Sequence, residues 1–278
     1  MQHNYHKWIV TICCLWICSI VCFGQSAWAR QPRRLTAYPA GRTAIVVCPG
    51  GSYSWLDKKT EGHEVARWLQ SQGISAYVLC YRVQGGFAFG SGYRHLIRGH
   101  QYPDPQRDLQ QTIEWLRQNA DSLGIDPHRI GAMGFSAGGH LVTSAGALFD
   151  AAVRPDFVVA VYPVVTFRQA PYVHRRSRRA LLGEWRRWSQ QWRDSLSLEI
   201  HVPDDMPPTL VVNCQDDPIV HYHNSELLDS ALTARHIDHK YLQYRTGGHG
   251  FGVDSLKAGP EAIAWKQELL NWLQHEQF

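Results

Sequence analysis

The chain has 278 residues, 44% of them hydrophobic, with 28 basic and 24 acidic side chains and a formal net charge of +4. That surplus is too mild to argue for a nucleic-acid partner on its own. Behind an N-terminal leader, residues 30–278 suffice for one well-buried domain and are short for two.

Residues 8–24, WIVTICCLWICSIVCFG, follow a short positive lead containing Lys7 and precede Ala27-Trp28-Ala29, a small-x-small ending. The pattern predicts a secretory signal peptide over 1–29, cleaved after Ala29, and a secreted or periplasmic chain from residue 30. The alternative is a retained anchor, because 8–24 approaches the ~20 apolar residues that span a bilayer. Removing 1–29 takes Lys7 and no acid or arginine, which leaves a net charge of +3. It also takes Cys13, Cys14, Cys18 and Cys22. Cys48, Cys80 and Cys214 remain, each in an apolar run, and are expected as small core residues rather than a disulfide framework.

Apolar β-rich runs then alternate with helical patterns. Strands are predicted at 43–51, 75–81, 129–135, 156–165, 208–214 and 240–245, and helices at 60–73, 104–124, 137–149, 224–236 and 261–274. Strands that are apolar almost throughout, separated by helices, call for a parallel sheet covered on both faces. Residues 82–103, rich in Gly, aromatics and Arg, and the long basic stretch 166–207 interrupt the rhythm. Both follow strands, where an open α/β sheet places its ligand site.

RIGAMGF (129–135) runs into Gly134-Phe135-Ser136-Ala137-Gly138 and then a helix, the strand–turn–helix context of a nucleophile elbow. Ser136 is expected on a strained turn with its hydroxyl above the sheet. The glycines let helix and strand pack closely, and the following N–H groups supply partial positive charge. A serine needs a base and an acid, expected in the order serine, acid, histidine. Asp216 and Asp217 follow one strand run and His249, in RTGGHGF, follows the next. Read singly, the aspartates could cap the next helix and His249 could be an ordinary loop residue.

The stretches VVCPGGSY, GFSAGGH, PPTLVVNCQDDPIV and GGHGFG together resemble the α/β-hydrolase fold. Within it they are most similar to bacterial esterases related to acetylxylan esterases and the hormone-sensitive-lipase type. The resemblance runs from about Leu35 to Leu273. It implies a mostly parallel sheet with helices on both faces, a helical cap-like insertion around 166–207, and a Ser136–Asp217–His249 triad. Asp217 is favoured over Asp216 because Asp217-Pro218-Ile219-Val220 fits the family's Asp-x-x-Val. The Gly-rich loop Gly50-Gly51-Ser52 would donate N–H groups to an oxyanion together with Ala137. Ser52 stands where lipases carry a third glycine, which leaves the donor open between Gly51 and Ser52.

Other signals point less sharply. Residues 174–194 carry seven arginines against Glu184 and Asp194, interleaved with Trp185, Trp188 and Trp192. The tryptophan spacing suggests a helix whose indoles face the core while the arginines stay solvated, in preference to a sugar-binding rim. His221 and His223 have a spacing seen in metal sites but no third ligand nearby, so no metal is expected. GHGFG (248–252) has too little chain after it for a dinucleotide-binding unit. His140 is expected as a packed helix residue.

The expectation is a serine carboxylic-ester hydrolase that needs no cofactor. By resemblance its substrate is a short acyl ester, above all acetyl, on a plant-type polysaccharide or oligosaccharide. Nucleic acid is not expected as a partner, nor is a membrane after signal cleavage. Alternatives are a general short-chain carboxylesterase or lipase, a serine peptidase on the same fold, and a non-catalytic sugar-binding relative.

Overall fold

Seven strands form one sheet: β1 (Leu35–Tyr38), β2 (Ala44–Cys48), β3 (Ser75–Leu79), β4 (Ile130–Phe135), β5 (Val158–Val161), β6 (Thr209–Cys214) and β7 (His239–Tyr244). Their order is β1-β3-β2-β4-β5-β6-β7, with only the β1–β3 pair antiparallel. The computed structural model describes residues 34–91 and 95–278, so the predicted signal peptide lies outside the described residues.

Every residue of β2, β3, β4, β5 and β6 is buried. Apolar side chains on both sides of a strand require helices on both faces, and the helices are there. One face packs against α1 (Glu64–Ser71), α7 (Ser255–Ala262) and α8 (Trp265–His275) through Val65, Leu69, Ala262, Trp265 and Leu269. The other packs against α2 (Asp104–Gln118) and α3 (Ala137–Leu148) through Leu109, Ile113, Leu141 and Val142. The helix α6 (His223–Ala234) covers the β6 end with Leu228 and Leu232.

Chain order reverses direction beside β2: β3 adds on one side of it and β4 on the other. The loops leaving β2 and β4 therefore diverge at a switch point, where doubly wound sheets open a crevice. The pairing Cys48↔Gly134 brings the Gly50–Ser52 loop directly beside the turn at Ser136.

The elements differ from the sequence pattern where backbone geometry intervenes. The predicted strand 156–165 stops at Val161, because Tyr162 adopts a left-handed φ of 37° and a proline follows. The predicted helix 261–274 is two helices, with Pro260 and the left-handed Gly259 (φ 69°) in the first of them. The predicted helix 60–73 begins as one π-helical turn over Lys59–His63 before α1. The edge strand β1 has no counterpart among the predicted strands. Cys48 and Cys214 are buried in strands as expected, whereas Cys80 lies just past β3 and is half-buried.

The 166–207 insertion is helical, with α4 (Arg175–Arg186), α5 (Gln190–Ser195) and a 3-10 turn at Leu198–Ile200. Its tryptophans correct the expectation. Trp185 and Trp188 are 69% and 63% exposed, and only Trp192 packs inward. Helical spacing failed because the helix ends at Arg186 just after Trp185, Trp188 lies in the turn that follows, and Ser189 caps a new helix that carries Trp192. The three indoles therefore do not share a face. Five of the arginines are not free in solvent either: Arg178 donates to the Phe167 carbonyl, Arg186 to the carbonyls of Leu182 and Tyr102, and Arg193 to those of Trp188 and Ser189, while Arg179 and Arg187 pair with Glu184.

Candidate active site

Ser136 joins β4 to α3 at φ 55° and ψ −116°, a conformation that costs a non-glycine residue about 1–3 kcal/mol. The surroundings hold it there. Its N–H donates to the Val161 carbonyl at 3.0 Å, and its carbonyl accepts from Val164 at 3.2 Å. The flanking glycines are required by close approach: a Cβ on Gly134 would meet the Gly138 carbonyl oxygen at 2.1 Å, and one on Gly138 would meet the Cys48 oxygen at 2.0 Å.

Asp217 and Asp216, adjacent at the end of β6, have separate partners. Asp217 Oδ2 lies 2.6 Å from His249 Nδ1, while Oδ1 accepts the N–H groups of Ile219 and Val220 at 2.8 and 2.9 Å. Its carboxylate is 1% exposed. A carboxylate only accepts, so Nδ1 carries the proton and Nε2 is left with its lone pair. Asp216 instead accepts from Gly247 and Gly248 at 3.3 and 2.8 Å, which ties down the start of the histidine loop.

The Gly-rich loop after β2 runs through three left-handed residues, Gly51 (φ 128°), Ser52 (φ 57°) and Tyr53 (φ 57°). The Gly50 N–H is consumed by Glu61 Oε2 at 2.8 Å. Among the described residues no acceptor takes the N–H of Gly51, Ser52 or Ala137. Gly50 is wedged between the two neighbouring groups: a Cβ there would meet Glu61 Oε2 at 2.5 Å and Ser136 Cβ at 3.0 Å.

Residues that the sequence pattern did not single out complete the surroundings. The Tyr162 ring lies 4.5 Å from the His249 ring, and its hydroxyl donates to Glu61 Oε1 at 2.9 Å while accepting from Gly252 at 3.1 Å. From the insertion, His174 lies within the electrostatic reach of His249 and Asp217, and its Nδ1 is 2.8 Å from Ser177 Oγ. Burial, then the positive charge of His249 and Arg176, lowers the His174 pKa to about 4, so it stands there neutral.

His140 is packed, as expected, and fully buried. Its Nε2 lies 2.9 Å from the Leu196 carbonyl, to which it must donate, so Nδ1 accepts from the Tyr53 hydroxyl at 2.9 Å. With its ring stacked on Phe167 at 4.7 Å, it links the Gly-rich loop, the helix after Ser136 and the insertion. His221 and His223 join Tyr172 and Tyr222 in a ring stack. Among the described residues no group of three or more His, Cys, Asp or Glu gathers in a metal-binding arrangement.

A family model described as BD-FAE matches residues 42–232, more than half of the chain. The chain belongs to the BD-FAE family. The acetylxylan esterase of Xylanibacter ruminicola is 30% identical over 238 residues, covering 85% of this chain and 46% of that protein. Endo-1,4-beta-xylanase B of Butyrivibrio fibrisolvens is 29% identical over 223 residues, or 76% of this chain and 33% of its own length. The chain thus spans less than half the length of these two curated relatives. The crystal structure of an acetyl ester-xyloside bifunctional hydrolase from Caldicellulosiruptor lactoaceticus superimposes with a TM-score of 0.75 at 32% identity, covering 88% of both chains. The fold is the α/β-hydrolase fold, and this BD-FAE chain is similar to esterases of that fold, as the motifs implied.

Proposed function

We propose that this BD-FAE protein hydrolyses carboxylic esters through an acyl-enzyme, with Ser136 as nucleophile, His249 as base and acid, and Asp217 as the group orienting the imidazole. The observation that carries the reading is the 2.6 Å contact between Asp217 Oδ2 and His249 Nδ1 at the sheet end that also bears the strained Ser136. His249 Nε2 takes the Ser136 Oγ proton as Oγ bonds to the carbonyl carbon. The N–H groups of Ala137 and of Gly51 or Ser52 hold the resulting oxyanion. Collapse breaks the bond to the leaving alcohol, which receives the proton from Nε2. Water then repeats the sequence on the acyl-serine, releasing the acid and restoring the hydroxyl.

For the substrate we infer a short acyl group, above all acetyl, on a polysaccharide or oligosaccharide of the plant type. The similarity to the acetylxylan esterase and the acetyl ester-xyloside hydrolase supports this class. The leader pattern at 1–29 further suggests export, tested by sequencing the N-terminus of the protein recovered outside the cytoplasm.

The deciding experiment replaces the nucleophile. Ser136→Ala is expected to lower ester hydrolysis by about 10⁴-fold or more while the protein still folds. A fluorophosphonate is expected to label the wild type at Ser136, with acetate released from acetylated xylan. Labelling at another residue, or a near-active alanine variant, would overturn the assignment.

A further inference from the structure

One more buried acid lies on the far side of Gly50 from Ser136. Glu61, 4% exposed, comes from the π-helical turn and has a donor on each carboxyl oxygen. Oε2 accepts the Gly50 N–H at 2.8 Å, and Oε1 accepts the Tyr162 hydroxyl at 2.9 Å. The Tyr162 oxygen in turn accepts the N–H of Gly252, three residues beyond His249, and its ring lies 4.5 Å from the imidazole. One side chain thus ties the Gly-rich loop to the histidine loop.

A carboxyl group with donors on both oxygens is satisfied as an anion and needs no proton. Burial, the largest influence, raises its pKa above the ordinary carboxylate value and Asp57 adds to the rise, whereas His249, Tyr162 and Gly50 favour the charged form. A buried acid is expensive unless its charge is answered, and a protonated His249 would answer it.

We propose that Glu61 is a positioning residue of the ester-hydrolysing site: it sets the oxyanion loop through Gly50, sets the histidine loop through Tyr162, and adds a second negative charge to that of Asp217 in support of the His249 imidazolium. The inference rests on the roles assigned above to Ser136, Asp217 and His249. Around His249 the titratable groups are Asp217, Glu61, Tyr162 and His174, with Arg176 behind His174. Around Glu61 they are His249, Tyr162, Asp57 and Tyr81, and on the far side Lys257 reaches Thr60. His174 stays neutral and burial keeps the proton on both tyrosines, so the negative charge acting on His249 comes from Asp217 in direct contact and from Glu61 across the Tyr162 hydroxyl.

The test uses Glu61→Gln, which keeps the shape and removes the charge. The His249 ring is titrated by NMR in the wild type and the variant, alongside the pH profile of kcat/KM. The His249 titration is expected to move to lower pH in the variant, as the loss of a neighbouring negative charge requires, and the acidic limb of the profile should move with it. The plateau kcat is expected to fall roughly ten- to hundredfold with KM little changed, as the reacting groups lose alignment. A folded variant whose His249 titrates as in the wild type would overturn the proposal. The titration needs no turnover, so its outcome is separate from that of Ser136→Ala.

Should the glutamine variant not fold, the wild type carries the test. The Glu61 carboxyl carbon, followed by ¹³C NMR, is expected to be ionised at about pH 7, and a protonated group there would overturn the proposal. Tyr162→Phe keeps the carboxylate and cuts its link to the histidine loop. It is expected to lower kcat with KM steady, and an unchanged kcat would overturn the positioning role.

Discussion

Asp216 and Asp217 are neighbours in the chain but hold opposite parts of one loop. Asp217 bonds the His249 ring at 2.6 Å, while Asp216 accepts the backbone N–H groups of Gly247 and Gly248 just before it. The two should separate kinetically. Asp217→Asn places an amide against Nδ1, favours the wrong tautomer, and is expected to lower kcat by about 10⁴-fold. Asp216→Asn keeps one acceptor oxygen for the loop and is expected to cost roughly tenfold or less, through looser placement of His249. Steady-state kinetics of the two variants decides; the reverse order would make Asp216 the orienting acid.

Acid should destabilise the fold through its buried histidines. Burial lowers the His140 pKa to about 4, against a pull upward from the Leu196 carbonyl, and burial likewise lowers that of His174 to about 4. An unfolded histidine titrates near ~6.5, so between there and about 4 the unfolded chain binds more protons. Stability is therefore complete above about pH 6.5 and lost as the pH falls toward 4, by about 3 kcal/mol for His140 alone. Urea unfolding at three pH values across that window checks the slope. His140→Gln should flatten it; an unaltered slope would assign it to other groups.

What the sequence made legible follows from what is local. The strands could be read because both faces are buried, which leaves an apolar run that needs no partner to be recognised. The elbow could be read because its glycines answer short-range contacts, such as Gly134 against Gly138. Glu61 and Tyr162 were invisible for the opposite reason. They lie 101 residues apart, and a Glu among helix-forming residues gives no sign of pointing inward. Which aspartate meets His249 depended on the turn after β6, where one residue of shift exchanges the partners. Ser52 could adopt the left-handed backbone expected of a glycine, so residue type alone could not place the oxyanion donor.

The tryptophans of the insertion mark the same limit and give a stability test. Periodicity assumes an unbroken helix, and the turn between Arg186 and Gln190 breaks it. Trp185→Ala and Trp188→Ala remove exposed rings and are expected to change stability by less than about 0.5 kcal/mol. Trp192 packs against the core, with Tyr102 at 5.9 Å and the Arg186 guanidinium at 4.9 Å from its ring. Its replacement by alanine is expected to cost about 2 kcal/mol, less than full burial would imply. Thermal unfolding of the three variants measures the contrast, and equal losses would mean that the exposed rings pack in solution.

Acyl length is the property on which the walls of the site bear most directly. His174 and Arg176 lie within the electrostatic reach of the His249–Asp217 pair, and the Tyr172–His221–His223 stack, a few residues past Asp217 in the chain, presents aromatic rings with polar atoms. Asn224 is buried and spends its side chain on the backbone of Val165, Thr166, Tyr172 and His221. A polar, aromatic setting of this kind suits a hydrated, sugar-like alcohol and a small acyl group. A long chain would need apolar surface, since each buried CH₂ contributes about 0.8 kcal/mol and gains nothing where it stays wet. Acetyl and propionyl esters of one alcohol are therefore expected to be cleaved with higher kcat/KM than octanoyl or longer esters. Activity that rose steadily past eight carbons, or jumped at an oil–water interface, would replace the carbohydrate-ester reading with that of a lipase.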